Sequence, residues 1–381
     1  MNWSFRIAQV RGIDIKVHVT FFLILLLGAI QWAGMTPNAP AEGALFGVVL
    51  MILLFTCVTL HELGHSIAAQ AFGIPVREIV LLPLGGVALI SKNPEKPLHE
   101  LIIAIAGPLV NVAIAIVLFF ATGATLRATL LDGRGTLGEL IMQPSLETLL
   151  LWLLAANITL VVFNMIPAFP LDGGRVFRAL LAFFLGFPRA TQIASTVGQV
   201  LAIGLGLLGF VSGNFILVLI AIFVFFGAGQ EQAHAMSKTV LQTRRVGDAY
   251  NKHALSLQIG DRVSRVVDYI LTSYQPDYAV MQGNMIIGVV TRDDVMRALA
   301  ERVDDCYVTE IMQREFLRVE ATRTLDEVRQ LLNEQGARLA AVFDGPRYLG
   351  LISLEDIAEA FAVLSFLERQ RQLRQERGWL S

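Results

Sequence analysis

The sequence predicts two regions of different fold class: a polytopic α-helical membrane domain with six transmembrane helices and a re-entrant β-hairpin, then a cytosolic α/β domain made of a duplicated unit. The chain has 381 residues, of which 55% are hydrophobic, and its mean hydropathy is +0.61. Both values exceed those of ordinary soluble proteins. Most charged side chains lie after residue 230, where one residue pattern also repeats at a constant spacing.

Six apolar stretches are long enough to cross a hydrocarbon core of about 30 Å. They lie near 17–33, 44–72, 101–123, 148–169, 190–212 and 214–230. These stretches define a predicted membrane domain over 1–230, which a linker, 231–245, joins to the second region.

Lys and Arg side chains predict how the spans are oriented. They occur in the N-terminal arm and in the loops 73–99 and 172–189, whereas the alternate loops carry only Arg127 and Arg134. Because positive residues stay on the cytosolic side, we expect both termini in the cytosol and the chain in the plasma (inner) membrane. Spans two and four then run in the same direction, so polar residues near their cytosolic ends can meet.

The second span contains the sequence HELGH, residues 61–65. On a helix, His61 and His65 lie one turn apart on one face and can bind one metal ion, with Glu62 beside them. Such groups are costly inside a bilayer, so they indicate a functional site more strongly than incidental polarity.

A catalytic zinc usually has three protein ligands, and Asp172 is the candidate for the third. Pro167 and Pro170 end the fourth span, and the extended segment after them can return the Asp172 carboxylate toward the histidines. The alternative is that Asp172 only caps the next helix. Asn164, before the break, can donate a hydrogen bond to a developing oxyanion or bond a neighbouring helix.

The loop after span two predicts the β-hairpin. In VREIVLLPLGGVALIS, residues 76–91, two apolar runs flank a turn that contains Pro and Gly. Its exposed edge can pair with an extended substrate by strand addition, although a passive connector is the alternative. The candidate substrate-binding residues are Leu84, Gly85, Gly86 and Val87.

Three motifs in order resemble the site-2 protease family of intramembrane zinc metalloproteases: HELGH, AGPLVN (106–111) and NMIPAFPLDGG (164–174). The resemblance implies Zn²⁺ held by His61, His65 and Asp172, a catalytic Glu62, and an Asn164 that assists substrate or transition-state binding. It also implies a single-span membrane protein as substrate, such as a membrane-anchored transcription factor or an anti-sigma factor. Its helix must unwind locally before cleavage.

The second region contains two copies of one unit, predicted over 246–306 and 307–365, and then a basic tail, 366–381. The sequences GVVTRDD and GLISLED resemble the strand-to-helix signature of cystathionine β-synthase (CBS) domains, which often bind adenine nucleotides and occur in pairs. The resemblance implies ATP or another adenine nucleotide as a ligand and a homodimer through the CBS pair. The candidate contacts, which are also ordinary helix caps, are Thr291, Asp294, Ser353 and Asp356.

The net charge of −2 gives no footprint for nucleic acid, so we expect the lipid bilayer and a membrane protein as partners. Two other functions stay open. One is a CBS-regulated membrane metal transporter or channel whose His and Asp side chains bind a permeating ion, and the other is a protease-like protein without turnover. Transport needs the ligands but no general base, so Glu62 distinguishes it from hydrolysis.

Overall fold

The computed structural model describes residues 3–83, 85–90, 94, 96–131, 143–273, 275–301 and 304–378. Contacts divide the chain into two compact units, Met1–Ala233 and His234–Ser381.

The described residues of the first unit form four strands and seven helices, the last of which continues past residue 233. The strands are β1 (Ser4–Val10), β2 (Ile13–His18), β3 (Val76–Leu82) and β4 (Gly85–Ile90). The helices are α1 (Phe21–Met35), α2 (Pro40–Ala71), α3 (Pro97–Leu131), α4 (Leu146–Asn164), α5 (Asp172–Leu185), α6 (Phe187–Val211) and α7 (Phe215–Gln242).

Within the described residues, five helices are long and apolar enough to cross a membrane: α2, α3, α4, α6 and α7. The predicted first span, 17–33, falls partly in β2 and otherwise in α1, which has 15 residues and is therefore about 22 Å long. Six spans therefore stay a prediction. The stretch 172–189 was expected to be a loop, but it contains the amphipathic helix α5.

The predicted hairpin forms, with β3 and β4 antiparallel, but it belongs to a larger sheet. That sheet has the order β1-β2-β3-β4, with β2 and β3 parallel. Ile13, Ile15 and Val17 alternate along the buried face of β2 and join a core with Phe55 and Leu63 of α2. The sheet thereby holds β4 against α2, whereas entry of the hairpin into a membrane stays a prediction.

Small residues allow the membrane helices to pack closely, as is usual where burial from water does not drive association. A Cβ atom added to Gly47 of α2 would lie 2.1 Å from the carbonyl oxygen of Gly28 of α1. A Cβ added to Gly64 would lie 2.9 Å from the carbonyl oxygen of Ala106, so α2 also approaches α3 closely. This second contact lies beside the HELGH sequence.

The second unit contains two three-stranded sheets, in the orders β5-β6-β7 and β10-β9-β8. Its strands are β5 (Ser256–Gln258), β6 (Asp277–Gln282), β7 (Met285–Thr291), β8 (Leu317–Glu320), β9 (Leu339–Asp344) and β10 (Arg347–Ser353). Its helices are α8 (Val263–Thr272), α9 (Arg292–Glu301), α10 (Val308–Ile311), α11 (Leu325–Gln335) and α12 (Leu354–Gly378).

The two copies in this unit exchange contacts reciprocally. Asn251 of the first copy forms a β-bridge with Leu351 of the second, and the equivalent Gln313 of the second forms one with Val289 of the first. Because each copy completes the other, the pair forms one body.

Candidate metal centre

Three side chains converge in the first unit, and they are the three metal ligands that the sequence predicts. The Nε2 atoms of His61 and His65 lie 3.1 Å apart, and Oδ2 of Asp172 lies 3.1 Å from each of them. Both histidines are buried, with exposed fractions of 6% and 5%. Among the described residues this is the one group of His, Cys, Asp and Glu side chains arranged to hold a metal ion.

The spacing of these atoms fits a zinc ion. Ligand atoms about 2.0–2.1 Å from a tetrahedral zinc lie about 3.3 Å from one another, close to the separations found here. Without a cation, the two Nε2 atoms and Oδ2 of Asp172 could lie this close to one another only by sharing protons in hydrogen bonds. The donor set of two imidazoles and one carboxylate is also that of catalytic zinc sites, which keep a fourth position open.

The ring of His65 is held from behind by α3. Its Nδ1 lies 2.7 Å from the carbonyl oxygen of Ile103, and a hydrogen bond donated there leaves Nε2 free to bind a metal. Gly107, one turn further along α3, makes room for the ring, because an added Cβ would lie 2.2 Å from Nε2. Nδ1 of His61 is buried without a hydrogen-bond partner among the described residues.

Asp172 reaches the histidines because the chain reverses after α4. That helix ends at Asn164, earlier than the expected end at Pro167 and Pro170, and α5 begins at Asp172 itself. The next two glycines lie against the turn: an added Cβ on Gly173 would be 2.3 Å from the carbonyl oxygen of Ile166. Leu171 occupies the N-cap position of α5, so Asp172 does not have the alternative role of a helix cap.

Glu62 follows His61 on α2 and lies against the hairpin. Its side chain contacts Gly86 of β4, where an added Cβ would lie 2.5 Å from Cγ and 3.5 Å from Oε1 of Glu62. A side chain at position 86 would therefore collide with Glu62, so this position needs glycine. The contact between these two residues was not predicted from the sequence.

The other predicted substrate contacts are placed less closely. Gly85 has φ of 135°, Gly86 pairs with Leu81 and Val87 with Val80, and Leu84 lies outside the described residues. Asn164 is half-buried at the end of α4. Within the described part of the chain its side chain makes no hydrogen bond to the histidines, Glu62 or Asp172, so its catalytic role stays a prediction.

The candidate nucleotide contacts of the second unit are engaged as helix caps. Oγ1 of Thr291 donates to Oδ2 of Asp294 at 2.6 Å, and the Asp294 backbone N–H donates back to Oγ1 at 3.2 Å. Ser353 and Asp356 repeat this arrangement at 2.8 and 3.0 Å. Asp294 differs in also accepting hydrogen bonds from the amide of Gln313.

Sequence reasoning missed a buried charged cluster of Glu100, Arg178 and Glu231. Each of these charged residues lies on a helix of the membrane unit. A charged side chain in a predicted membrane domain is the sequence signal that could have identified this cluster.

Comparisons with known proteins agree with this geometry. The family model of peptidase family M50 matches residues 49–205, and that of the CBS domain matches residues 308–363. A zinc metalloprotease of Methanocaldococcus jannaschii is 32% identical over 370 residues, which cover 97% of this chain and 99% of the relative. A putative zinc metalloprotease of Synechocystis is 30% identical over 379 residues, which cover 94% and 95%.

Among solved structures, a site-2 protease from Methanocaldococcus jannaschii is 40% identical, covers 60% of this chain and 95% of its own, and superposes with a TM-score of 0.41. The 32% identity to the Methanocaldococcus jannaschii zinc metalloprotease over 97% of this chain, together with the two family matches, shows the family. The chain belongs to peptidase family M50, the site-2 protease family of membrane zinc metalloproteases, and it carries a CBS domain in its second region.

Proposed function

We propose that the chain is an intramembrane zinc endopeptidase that cleaves single-span membrane proteins in or near their transmembrane segment. The observation that carries this proposal is the convergence of His61 and His65 of α2 with Asp172 of α5, while the side chain of Glu62, the residue after His61, contacts Gly86 of β4. Membrane-anchored transcription factors and anti-sigma factors are substrates of the expected kind.

The chemistry divides between a metal and one carboxylate. A zinc ion held by His61, His65 and Asp172 would polarise the scissile carbonyl and lower the pKa of a water molecule. Glu62 would take the proton of the attacking water and pass it to the leaving amine. Its position against Gly86 keeps the carboxylate against β4, where a peptide bond can lie beside it.

We propose that β4 binds the substrate. It lies at an edge of its sheet, and among the described residues no strand pairs with its outer side. An extended peptide added there would satisfy its backbone groups by main-chain hydrogen bonds, which a locally unwound membrane helix needs. The segment Gly85–Val87 would align that peptide with Glu62, and Asn164 would bind the oxyanion.

Two substitutions test the proposed hydrolysis in the full chain purified in detergent. Glu62→Gln should abolish cleavage of single-span substrates while bound zinc stays at the wild-type level, because it removes only the general base. Asp172→Asn should lower both zinc content and cleavage, because it removes an anionic ligand. Cleavage by Glu62→Gln at the wild-type rate would contradict the proposal. A wild type that moves metal ions across vesicles without cleaving any substrate would instead support the transporter alternative.

We further propose that an adenine nucleotide regulates the protease through the CBS pair. A cavity of about 490 Å³ in the second unit is lined by Thr291 and Asp294 together with Arg297, Arg318 and Arg338. Asp293 and Glu315 also line this cavity, and Arg338 forms ion pairs with Asp293 and Glu355. We therefore expect Arg297 and Arg318 to be the guanidinium groups that bind a polyphosphate. A second cavity of about 470 Å³ has a more acidic lining with Asp248, Asp356 and Glu359, so we expect the first cavity to bind the nucleotide more tightly.

Regulation requires that the nucleotide bind one conformation of the chain more tightly than another. Proteolysis at fixed zinc, measured with and without ATP, should change in wild type and stay constant in an Arg297→Ala variant. Equal rates with and without ATP in wild type would rule out this regulation.

The location and assembly of the chain are also proposals. We propose that the chain lies in the plasma (inner) membrane with both termini in the cytosol, since its positive loops alternate with neutral ones. We propose a homodimer through the CBS pair. Protease accessibility of tags at the two termini tests the first proposal, and the mass of the purified chain in detergent tests the second.

A further inference from the structure

We propose that Arg178 is a positioning residue of the metal centre: through Glu100 it fixes the helix that presents Asp172 to the helix that orients His65. This inference rests on the metal centre proposed above and concerns how α5 and α3 keep Asp172 and His65 at a fixed distance from each other.

The contacts of Arg178 join three helices. From α5, its Nε donates to Oε1 of Glu100 on α3 at 2.8 Å, and its Nη2 donates to the same oxygen. Its Nη1 donates to Oε1 of Glu231 on α7 at 2.6 Å. The guanidinium therefore uses all of its nitrogen atoms on two carboxylates.

The pair of Arg178 and Glu100 is shielded from solvent, with exposed fractions of 8% and 3%. Loss of Arg178 would leave the buried carboxylate of Glu100 without a compensating charge in a membrane-embedded unit, which is strongly unfavourable. The Glu231 side chain on α7 is 27% exposed, so its contact with Arg178 is weakened by solvent. The buried contact of Arg178 with Glu100 is therefore the one that most strongly restrains α5, and it does so relative to α3.

On the α5 side, Arg178 contacts the turn that delivers Asp172. Its guanidinium carbon lies 4.8 Å from the centroid of the Phe169 ring, three residues before Asp172. Phe169 is 1% exposed, and an added Cβ on Gly174 would lie 2.6 Å from its backbone nitrogen. The turn and the start of α5 are therefore packed closely against each other and against Arg178.

On the α3 side, Glu100 lies one turn before Ile103, whose carbonyl oxygen binds His65, and two turns before Gly107, which accommodates the His65 ring. The first turns of α3 thus hold both Arg178 and His65 without supplying a metal ligand. A shift of α5 along α3 would change the separation of 3.1 Å between Oδ2 of Asp172 and Nε2 of His65.

The test is the variant Arg178→Leu in the full chain purified in detergent. We expect its zinc affinity, measured by competition with a chelator, to fall at least about tenfold, as is typical when the support of a ligand is removed. The absorption spectrum of bound Co²⁺ should change because the ligand geometry changes. Arg178→Lys should give a smaller loss, since one ammonium keeps the charge but cannot reproduce the fork.

Leu50→Ala is the matched control. Leu50 is 3% exposed on α2, eleven residues or about 16 Å before His61, so its truncation should lower the melting temperature and leave zinc affinity and the Co²⁺ spectrum unchanged. If Arg178→Leu behaves like this control, the positioning role is wrong.

If Arg178→Leu does not fold, Glu100→Gln replaces it, because the amide keeps an acceptor oxygen but removes the charge. Unchanged affinity and spectrum in that variant would equally overturn the inference. A wild type that binds no zinc would instead refute the metal centre itself, so the two failures are distinguishable.

Discussion

Buried polar side chains have different surroundings in the two units. In the second unit, Ser353 and Asp356 satisfy each other by reciprocal hydrogen bonds at the start of a helix. In the first unit, His61, His65 and Asp172 point at one another, and Nδ1 of His61 has no partner among the described residues. A hydrogen bond donated by Nδ1 of His65 to Ile103 leaves Nε2 of His65 with a lone pair that faces the carboxylate oxygen of Asp172, so a cation between these atoms would stabilise the first cluster. The second pair is satisfied by its own hydrogen bonds.

This difference gives an expectation for substitutions. Changes around the cluster of the membrane unit should alter zinc binding or turnover more than stability. Changes at the caps of the second unit should alter stability and leave zinc binding intact. Four substitutions test this expectation, and they are ordered by the size of the expected effect.

Gly107→Ala should have the largest effect. The new methyl group would lie 2.2 Å from Nε2 of His65, so the imidazole must rotate away from the other ligands. We expect zinc affinity to fall about 100-fold, measured by chelator competition, with cleavage restored in part by excess zinc. Gly123→Ala is the matched control on α3, because among the described residues no atom outside the adjacent helix backbone lies within 4 Å of the added Cβ. Wild-type affinity in Gly107→Ala would contradict the placement of His65.

Gly86→Ala separates the general base from the metal. The added methyl group would lie 2.5 Å from Cγ of Glu62 and force that side chain into another conformation, while the three ligands stay in place. Misplacement of a catalytic group by about 1 Å can cost up to about 100-fold, so we expect kcat to fall at least tenfold with unchanged zinc content. A variant that loses zinc together with activity would place Gly86 at the metal and not at the base.

The convergence of His61, His65 and Asp172 could be predicted from the sequence, but the residues that surround these side chains could not. The spacing of His61 and His65 fixes a common helical face, and the prolines after Asn164 require a chain reversal that can bring Asp172 back. The contacts of Gly107 with His65 and of Gly86 with Glu62 join distant parts of the chain. A single sequence carries no local pattern for such pairs.

The sheet was predicted only in part for a related reason. The segment Ile13–His18 alternates apolar with polar side chains, which is a strand pattern, but its last two residues directly precede the apolar helix α1, so hydropathy assigned them to a membrane span. The pairing of this strand with β3 joins distant parts of the chain and has no local signal in the sequence. The duplicated unit, by contrast, was predictable because its two copies carry the same buried valines at matching positions, such as Val280 and Val342.

Ser353→Ala should destabilise the second unit without affecting the metal. It removes a cap whose hydroxyl bonds both the side chain and the backbone of Asp356, which we expect to lower the free energy of unfolding by about 1 kcal/mol. Chemical denaturation of the full chain, followed by a probe in the second unit, measures this loss. Ser353→Thr is the matched control, since the equivalent residue of the first copy is Thr291. Loss of zinc in Ser353→Ala would break the distinction between the units.

The smallest expected effect concerns Asp277, the first residue of β6, which is 6% exposed with Oδ1 unpaired among the described residues. Burial raises the pKa of its carboxyl group, whereas the positive charge of Arg338 opposes that shift, and Glu355 and Asp293 reinforce it. The folded state therefore binds this proton more tightly than the unfolded state.

The sign of the pH effect follows from that difference. The stabilising contribution is complete below the pKa of the unfolded chain and is lost as the pH rises through the raised pKa of the folded state. Asp277→Asn should remove this loss, so the variant should be more stable than wild type on the alkaline side of the transition and equally stable on the acid side. Denaturation of both proteins across that pH range measures the difference, with zinc content as the internal control. A gain that does not depend on pH would show that the carboxyl group is destabilising for a reason other than its charge.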